Sequence, residues 1–140
     1  MVDTCGDVPI IAPLRSDVLD IVQRIATSLP KSASKLKLLP SLPYLEFGWL
    51  TAHALGIVTD SGNVAEEATF NGVPCITLND YTEHQETVTV GTNVLVGADQ
   101  QKLSEALRLM LNHEWKEAAL PERWDGRTAE RIVRILLHLE

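Results

Sequence analysis

The segment 56–68 holds the residues whose types and spacing point most directly to chemistry. It reads Gly-Ile-Val-Thr-Asp-Ser-Gly-Asn-Val-Ala-Glu-Glu-Ala, which predicts a buried strand, a glycine turn and a helix start. Such a helix points its first free N–H groups and the positive end of its dipole over the sheet edge. Ser61 is a favourable N-cap, and Gly62 lets a ligand approach the backbone. The segment therefore predicts either an anion site or an ordinary structural turn, because such loops use the same residues for structure.

A second polar segment, 79–86, follows the fourth predicted strand at the same carboxyl edge of the sheet as Ser61. It carries carboxylates, a hydroxyl and one histidine, His84. Such a segment is either a functional site or a polar loop that starts a helix. His53 and His138 have no partner at the spacing of a metal pair, so we expect solvent-facing or structural roles for them. His113 lies near a predicted helix C-terminus, where a cation is favourable.

The elements that must position these loops follow an alternation of short apolar runs and longer helical patterns. This alternation is typical of an α/β protein with a parallel sheet. Strands are predicted at 8–14, 36–39, 56–59, 73–78 and 93–96. Helices are predicted at 16–29, 44–54, 64–71, 100–112 and 127–139, and the first and the last two have apolar residues at helical spacing.

Composition favours one globular domain and excludes several classes of function. The chain has 140 residues, of which 45% are hydrophobic and 22% charged. Twelve basic residues against 19 acidic ones leave no basic stripe for nucleic acid. The chain shows neither a long apolar run nor a signal-peptide pattern, so no membrane partner and a cytoplasmic location are expected. Cys5 and Cys75 form neither a metal spacing nor a disulfide framework, and no metal is expected.

Six motifs occur in the order seen in non-hydrolysing UDP-N-acetylglucosamine 2-epimerases, and the chain resembles that family from about Val8 onward. The motifs lie at 43–47 (Pro-Tyr-Leu-Glu-Phe), 58–62 with 66–68, 72–74 (Gly-Val-Pro), 82–83 with 86, 91–93 with 95–97, and 124–126 (Trp-Asp-Gly) with 129–132. The resemblance implies an isomerase of nucleotide-sugar precursors of cell-envelope polysaccharides. Such enzymes have two Rossmann-like halves (the GT-B arrangement) and need no cofactor, and UDP is held mainly by the C-terminal half.

This chain resembles most of that C-terminal half only. We therefore expect a loosely ordered segment 1–7 and a single Rossmann-like UDP-binding domain at 8–140. The expected partner is UDP or a UDP-sugar. By the resemblance, Ser61 and Gly62 hold the diphosphate, Glu67 accepts hydrogen bonds from the ribose, and Phe47 lies near the uracil.

Two positions of the implied UDP site depart from the family pattern. Asn63 replaces the second glycine of Ser-Gly-Gly, and His84 replaces the arginine of Thr-Glu-Arg-Pro-Glu. Arginine is a permanently charged, bidentate phosphate donor, whereas histidine is mostly neutral at neutral pH. The family's catalytic carboxylates belong to the N-terminal half, and its catalytic histidine to a His-Arg-Arg-Glu-Asn motif. This chain has neither, so it is expected to be inactive by itself.

Two other functional interpretations remain open. A degenerate paralogue would act as a non-catalytic nucleotide-sugar binding or assembly module. A receiver-like signalling domain would use Asp60 as phosphoacceptor, although Leu14-Arg15 and Val96-Gly97 stand where its acids and lysine are required.

The expected architecture is a three-layer, flavodoxin-like domain with one five-stranded parallel sheet of order 2-1-3-4-5. In the family, a further strand lies between the strands that correspond to 8–14 and 56–59. A gap there would leave buried N–H and C=O groups unpaired, so direct pairing of these strands is predicted. Apolar surface uncovered by the shorter fold predicts a homo-oligomer.

Overall fold

The computed structural model describes residues 5–26 and 35–138, and these ranges form an α/β fold with parallel strands. The strands are β1 Ile10–Leu14, β2 Leu36–Pro40, β3 Ile57–Thr59, β4 Cys75–Thr77 and β5 Asn93–Leu95. The helices are α1 Ser16–Ala26, α2 Tyr44–Ala52, α3 Gly62–Asn71, α4 Gln85–Thr89, α5 Gln100–Leu111 and α6 Thr128–Leu137. The predicted α/β class with parallel strands and helices is confirmed. Residues 1–4 of the segment expected to be loose, and residues 27–29 of the first predicted helix, lie outside the described ranges.

The strands form two parallel sheets, and the predicted single sheet of order 2-1-3-4-5 is wrong. One sheet pairs β1 with β2, in the register of Ile10 with Leu36. The other has the order β3-β4-β5, with Ile57 opposite Cys75 and Cys75 opposite Asn93. In the part of the chain that the structure describes, β1 and β3 do not pair.

The wrong prediction came from the assumed burial of the facing strand edges. Residues of β1 and β3 are half-buried or exposed, and none is fully buried. An accessible strand edge can bond to water, so the cost of an unsatisfied buried group does not apply there. In addition, β3 is only three residues long, which limits the number of backbone groups that need a partner.

The best-packed part of the molecule surrounds the three-stranded sheet. One buried cluster consists of Ile76 and Val96 from the sheet region with Ala106, Leu107 and Met110 of α5. A second consists of Ala65 and Ala68 of α3 with Cys75 of β4. By contrast, α1 and α6 contain no buried residue. The loops that follow β3, β4 and β5 are therefore attached to the part of the described structure with the largest buried clusters.

The periodicity of apolar residues predicted helix α6, and several of these residues are exposed. They are Ile132, Val133, Ile135, Leu136 and Leu137. The helix follows a turn in which the Asp125 carboxylate accepts hydrogen bonds from Arg131 at 2.8 and 2.6 Å and from the Arg127 N–H at 3.1 Å. Among the helices of the described ranges, none combines the length and apolar character needed to cross a bilayer.

Candidate functional site

The start of α3 has the geometry of an anion site. Ser61 is its N-cap, with φ −96° and ψ 125°, as predicted. Its side chain makes no capping hydrogen bond, whereas its N–H donates to Oγ1 of Thr59 at 3.1 Å. In an α-helix the first N–H groups have no intrahelical acceptor. The Ser61 hydroxyl and the N–H groups of Gly62 and Asn63 are therefore the donors that this helix start offers to a ligand.

His84 lies directly beside this helix start. A Cβ atom on Gly62 would stand 3.2 Å from Cδ2 and 3.5 Å from Nε2 of the histidine ring. The other ring nitrogen, Nδ1, is 3.0 Å from Oε1 of Glu66. Glycine at position 62 thus allows the ring to approach the helix. The Glu66 carboxylate contacts the opposite side of the same ring.

A chain of hydrogen bonds fixes the backbone that carries His84. Its carbonyl accepts from the Thr87 hydroxyl at 2.7 Å, and its N–H donates to Oγ1 of Thr82 at 3.1 Å. The Thr87 oxygen accepts from Nδ2 of Asn93 at 3.2 Å, and Oδ1 of Asn93 accepts from Thr77 at 2.7 Å. Asn93 and Thr87 are fully buried. The site loop is therefore anchored in the core through β4 and β5.

The loops at the carboxyl ends of the three strands are also tied to one another. Nδ2 of Asn79 donates to the carbonyl of Asp60 at 3.0 Å, which joins the loops after β4 and β3. The Gly97 N–H donates to the carbonyl of Asn79 at 3.2 Å. Gly97 has φ +59°, and a Cβ there would lie 3.3 Å from Cβ of Asp80. These contacts make the carboxyl edge of the sheet one connected platform.

Glu67 lies on a different side of α3 from Glu66. It lines an open cavity of about 390 Å³ together with Tyr44, Leu45, Gly48, Trp49, Phe70 and Asn71, which come from α2 and α3. Phe47 is half-buried on α2 and is not part of this lining. The structure thus brings Gly62 and His84 together, and places Glu67 in a neighbouring aromatic cavity.

A match to a known family covers this fold and its site. Residues 2–137 match the family described as UDP-N-acetylglucosamine 2-epimerase. The chain belongs to this family. It is 48% identical over 110 residues to the UDP-N-acetylglucosamine 2-epimerase of Methanocaldococcus jannaschii, an alignment that covers 77% of this chain and 29% of that protein. It is 35% identical over 139 residues to the Escherichia coli K12 enzyme, covering 95% of this chain and 36% of that protein.

Solved structures of 2-epimerases agree with the fold of this family member. The M. jannaschii UDP-GlcNAc 2-epimerase in complex with UDP-GlcNAc and UDP superposes with a TM-score of 0.76 at 40% identity. That superposition covers 98% of this chain and 38% of the other. The Staphylococcus aureus MnaA-UDP structure has a TM-score of 0.79 at 29% identity, with 99% and 38% covered. The chain spans about a third of the length of the relatives it matches.

The structure of this 2-epimerase family member also contains site features that sequence patterns did not reveal. The carboxylates of Glu66 and Glu86 lie close to His84, although they come from different elements, and no sequence spacing links them. The buried residues Thr87 and Asn93 fix the backbone of His84 through hydrogen bonds. Cys75, by contrast, is fully buried, and burial raises the pKa of its thiol to about 12, which disfavours the reactive thiolate.

Proposed function

We propose that this chain binds UDP, or the UDP part of a UDP-sugar, at the start of α3. The proposal rests on one observation above all. The chain aligns over 98% of its length with a relative that was solved in complex with UDP-GlcNAc and UDP. The donors at the α3 start agree with that ligand, because phosphate groups favour the free N–H groups and positive dipole of a helix N-terminus.

In this proposal the diphosphate contacts the Ser61 hydroxyl and the backbone of Gly62. The hydroxyl is suited to this role because it makes no capping bond of its own. Asn63 is exposed at the second position of the helix, so its side chain borders the phosphates where the family has glycine. His84 borders them from the opposite side, next to Gly62.

The nucleoside lies farther along α3 in the same proposal. Glu67 accepts hydrogen bonds from the ribose hydroxyls, and the cavity that it lines provides aromatic surface for the ligand. Its volume of about 390 Å³ falls within the range usual for small-ligand pockets. Phe47 is proposed to lie near the uracil from the neighbouring helix α2.

The affinity for UDP is expected to be modest. The overall charge of −7 repels an anionic ligand, so binding depends on local donors rather than on the net field. His84 supplies less positive charge than the arginine that the family pattern places there. Together these features favour binding through hydrogen bonds of the helix start.

We also propose that these 140 residues do not epimerise the sugar by themselves. Epimerisation at C2 requires a group that removes a proton and a group that returns one. In the family resemblance those carboxylates come from the other half. Incubation with UDP-N-acetylglucosamine should give no UDP-N-acetylmannosamine in NMR spectra, and protein-dependent appearance of the C2 epimer would contradict the proposal.

We propose that the chain forms a single Rossmann-like domain and that it associates with a second copy of itself in solution. The exposed apolar residues of α6 support association, because large apolar patches on soluble proteins commonly form interfaces. Light scattering over a range of concentrations tests this. A monomer at every concentration would contradict it.

Calorimetry with UDP and with uridine tests the proposed binding site. Ser61→Ala should weaken UDP binding by about 1.5–3 kcal/mol, the usual contribution of a hydrogen bond to a charged group, and leave uridine binding unchanged. Glu67→Gln should weaken both ligands. Glu83→Gln is the control, since Glu83 is exposed next to the site. Equal effects of Ser61→Ala on UDP and uridine would refute a diphosphate at this position.

A further inference from the structure

We propose that Glu66, His84 and Glu86 form a binding site for a divalent transition-metal ion such as Zn²⁺. One ligand atom from each residue lies within 4.8 Å of the other two. The residues come from α3, the loop before α4, and α4 itself. Zn²⁺ binds both imidazole nitrogen and carboxylate oxygen in proteins, and three protein ligands leave its fourth position open to water or substrate.

The distances in this cluster are close to those of a metal site. Nδ1 of His84 and Oε1 of Glu66 are 3.0 Å apart. In a tetrahedral zinc site, bonds of about 2.0–2.1 Å place neighbouring ligand atoms roughly 3.3–3.5 Å apart. The first pair therefore needs to separate only slightly around an ion. The Glu86 oxygen lies within 4.8 Å of both partners, so it would have to move closer by no more than about 1.5 Å.

The charges around the cluster favour a cation. Among the residues that the structure describes, neither Glu66 nor Glu86 forms an ion pair with a lysine or an arginine. The side chains of His84 and Glu66 are 32% and 35% exposed, so water screens the negative charge of Glu66 only in part. A divalent ion would neutralise both carboxylates and use the imidazole as its third ligand.

The imidazole also decides which ion fits. Mg²⁺ and Ca²⁺ prefer oxygen ligands, whereas Zn²⁺ and its neighbours in the first transition row accept imidazole nitrogen. The scaffold supports such a site, since hydrogen bonds from Thr82 and Thr87 fix the backbone of His84. We therefore expect Zn²⁺ to bind more tightly than Mg²⁺.

The position of the ion connects it to the anion site, and this step rests on the proposed function. When Nδ1 binds a metal, the neutral ring carries its proton on Nε2. Nε2 faces the α3 start, 3.5 Å from the position of a Cβ on Gly62. The bound ion would thus turn an N–H donor toward the diphosphate and add positive charge beside it. In this way the ion would replace the charge that the family pattern supplies with arginine.

Zn²⁺ titration of the chain without nucleotide is the first test. Calorimetry should show one saturable site, with at least about tenfold weaker binding in His84→Ala, Glu66→Gln and Glu86→Gln, since even outer-shell partners typically contribute that much. Glu83→Gln and His113→Ala are matched controls that keep the affinity. Circular dichroism checks that each variant is folded. The absence of a saturable site, or unchanged affinity in His84→Ala, would overturn the proposal.

Mn²⁺ locates the ion independently of affinity. This paramagnetic ion should broaden the amide NMR signals around residues 62, 66, 84 and 86 at substoichiometric amounts, and Glu86→Gln should remove the effect. Broadening centred elsewhere, for example on His113 or His138, would contradict a metal site at this cluster.

Nucleotide binding tests the coupling between the ion and the diphosphate. UDP should bind at least about fivefold more tightly with Zn²⁺ than with EDTA, the lower end of typical coupling between two sites. Glu86→Gln keeps His84 but should lose this gain in affinity. The same variant controls for Zn²⁺ that is bound by free UDP, because that effect would remain in it. Zn²⁺ binding without any UDP binding would support the metal site and refute the proposed function. UDP binding with no zinc effect in either protein would refute the coupling.

Discussion

The imidazole Nδ1 of His84 lies 3.0 Å from the Glu66 carboxylate, while the other edge of the ring faces Gly62. This contact joins the loop after β4 to the first turns of α3. Both partners are part of one platform, because the loops after β3, β4 and β5 are tied together by Asn79. The position of His84 is therefore set by contacts between several elements of the fold.

Thr87→Val tests the support of this loop. Valine has a similar shape but lacks the hydroxyl that donates to the His84 carbonyl and accepts from Asn93. Leaving buried polar groups unpaired should lower the free energy of unfolding by about 1–3 kcal/mol and weaken UDP binding. Denaturant unfolding and calorimetry measure the two effects.

The control for this variant is Thr89→Val on the same helix. Thr89 is exposed, and its hydroxyl donates to the Gln85 carbonyl one turn earlier. Its unfolding free energy should change by no more than about 0.5 kcal/mol. Equal losses in both variants would show that the buried network does not support the site.

Gly91→Ala probes the packing beneath α4. A Cβ at this position would lie 2.4 Å from Cγ2 of Thr69 and 2.7 Å from the Thr87 carbonyl oxygen. Overpacking of this kind should cost about 1–3 kcal/mol of unfolding free energy. Gly48→Ala is the matched comparison, since nothing lies within 4 Å of its Cβ, and alanine should stabilise α2 by about 0.4–1 kcal/mol. Thermal unfolding that ranked the two variants in the opposite order would contradict this packing.

Asp125 should make the stability of the protein depend on pH in the acidic range. The side-chain hydrogen bond from Arg131, followed by that of the Arg127 N–H, lowers the Asp125 pKa from 3.8 to about 2. Because the folded pKa lies below the unfolded one, the ionised carboxylate stabilises the fold above about pH 4, and this contribution is lost as the pH falls through about 2. Asp125→Asn should therefore lower the melting temperature at neutral pH but not near pH 2. A difference that stayed constant with pH would contradict the ion pair, and Glu122→Gln, at a side chain that is 89% exposed, is the control.

His84→Arg should tighten UDP binding in the presence of EDTA by about 1–2 kcal/mol. Arginine would add a charge-assisted hydrogen bond to the phosphates at a position that already borders the helix start. Thr89→Arg adds the same charge at an exposed position of α4 and should have a much smaller effect. An unchanged or weaker affinity in His84→Arg would mean that residue 84 does not face the diphosphate.

The sequence predicted local elements well because their signals are local. Apolar runs located all five strands, and the spacing of apolar residues located the longer helices. The start of α3 at Ser61 followed from one serine and one glycine after a buried strand. The family followed from motifs spread along the chain.

Contacts between distant segments were not predictable in the same way. The five-stranded sheet failed because pairing of β1 with β3 was inferred from the cost of buried edges, and burial depends on the whole fold. The meeting of Glu66 with His84 depends on how α3 packs against the loop after β4. No periodicity in the sequence encodes that distance, and α4 is too short to give a helical pattern.

Amide chemical shifts on addition of UDP show whether UDP binds at the start of α3. We expect the largest shifts at Gly62 and Asn63, smaller ones at His84 and Glu67, and a weaker response at Gly62 when uridine replaces UDP. Shifts confined to α6 or to the sheet of β1 and β2, with none at Gly62, would contradict it.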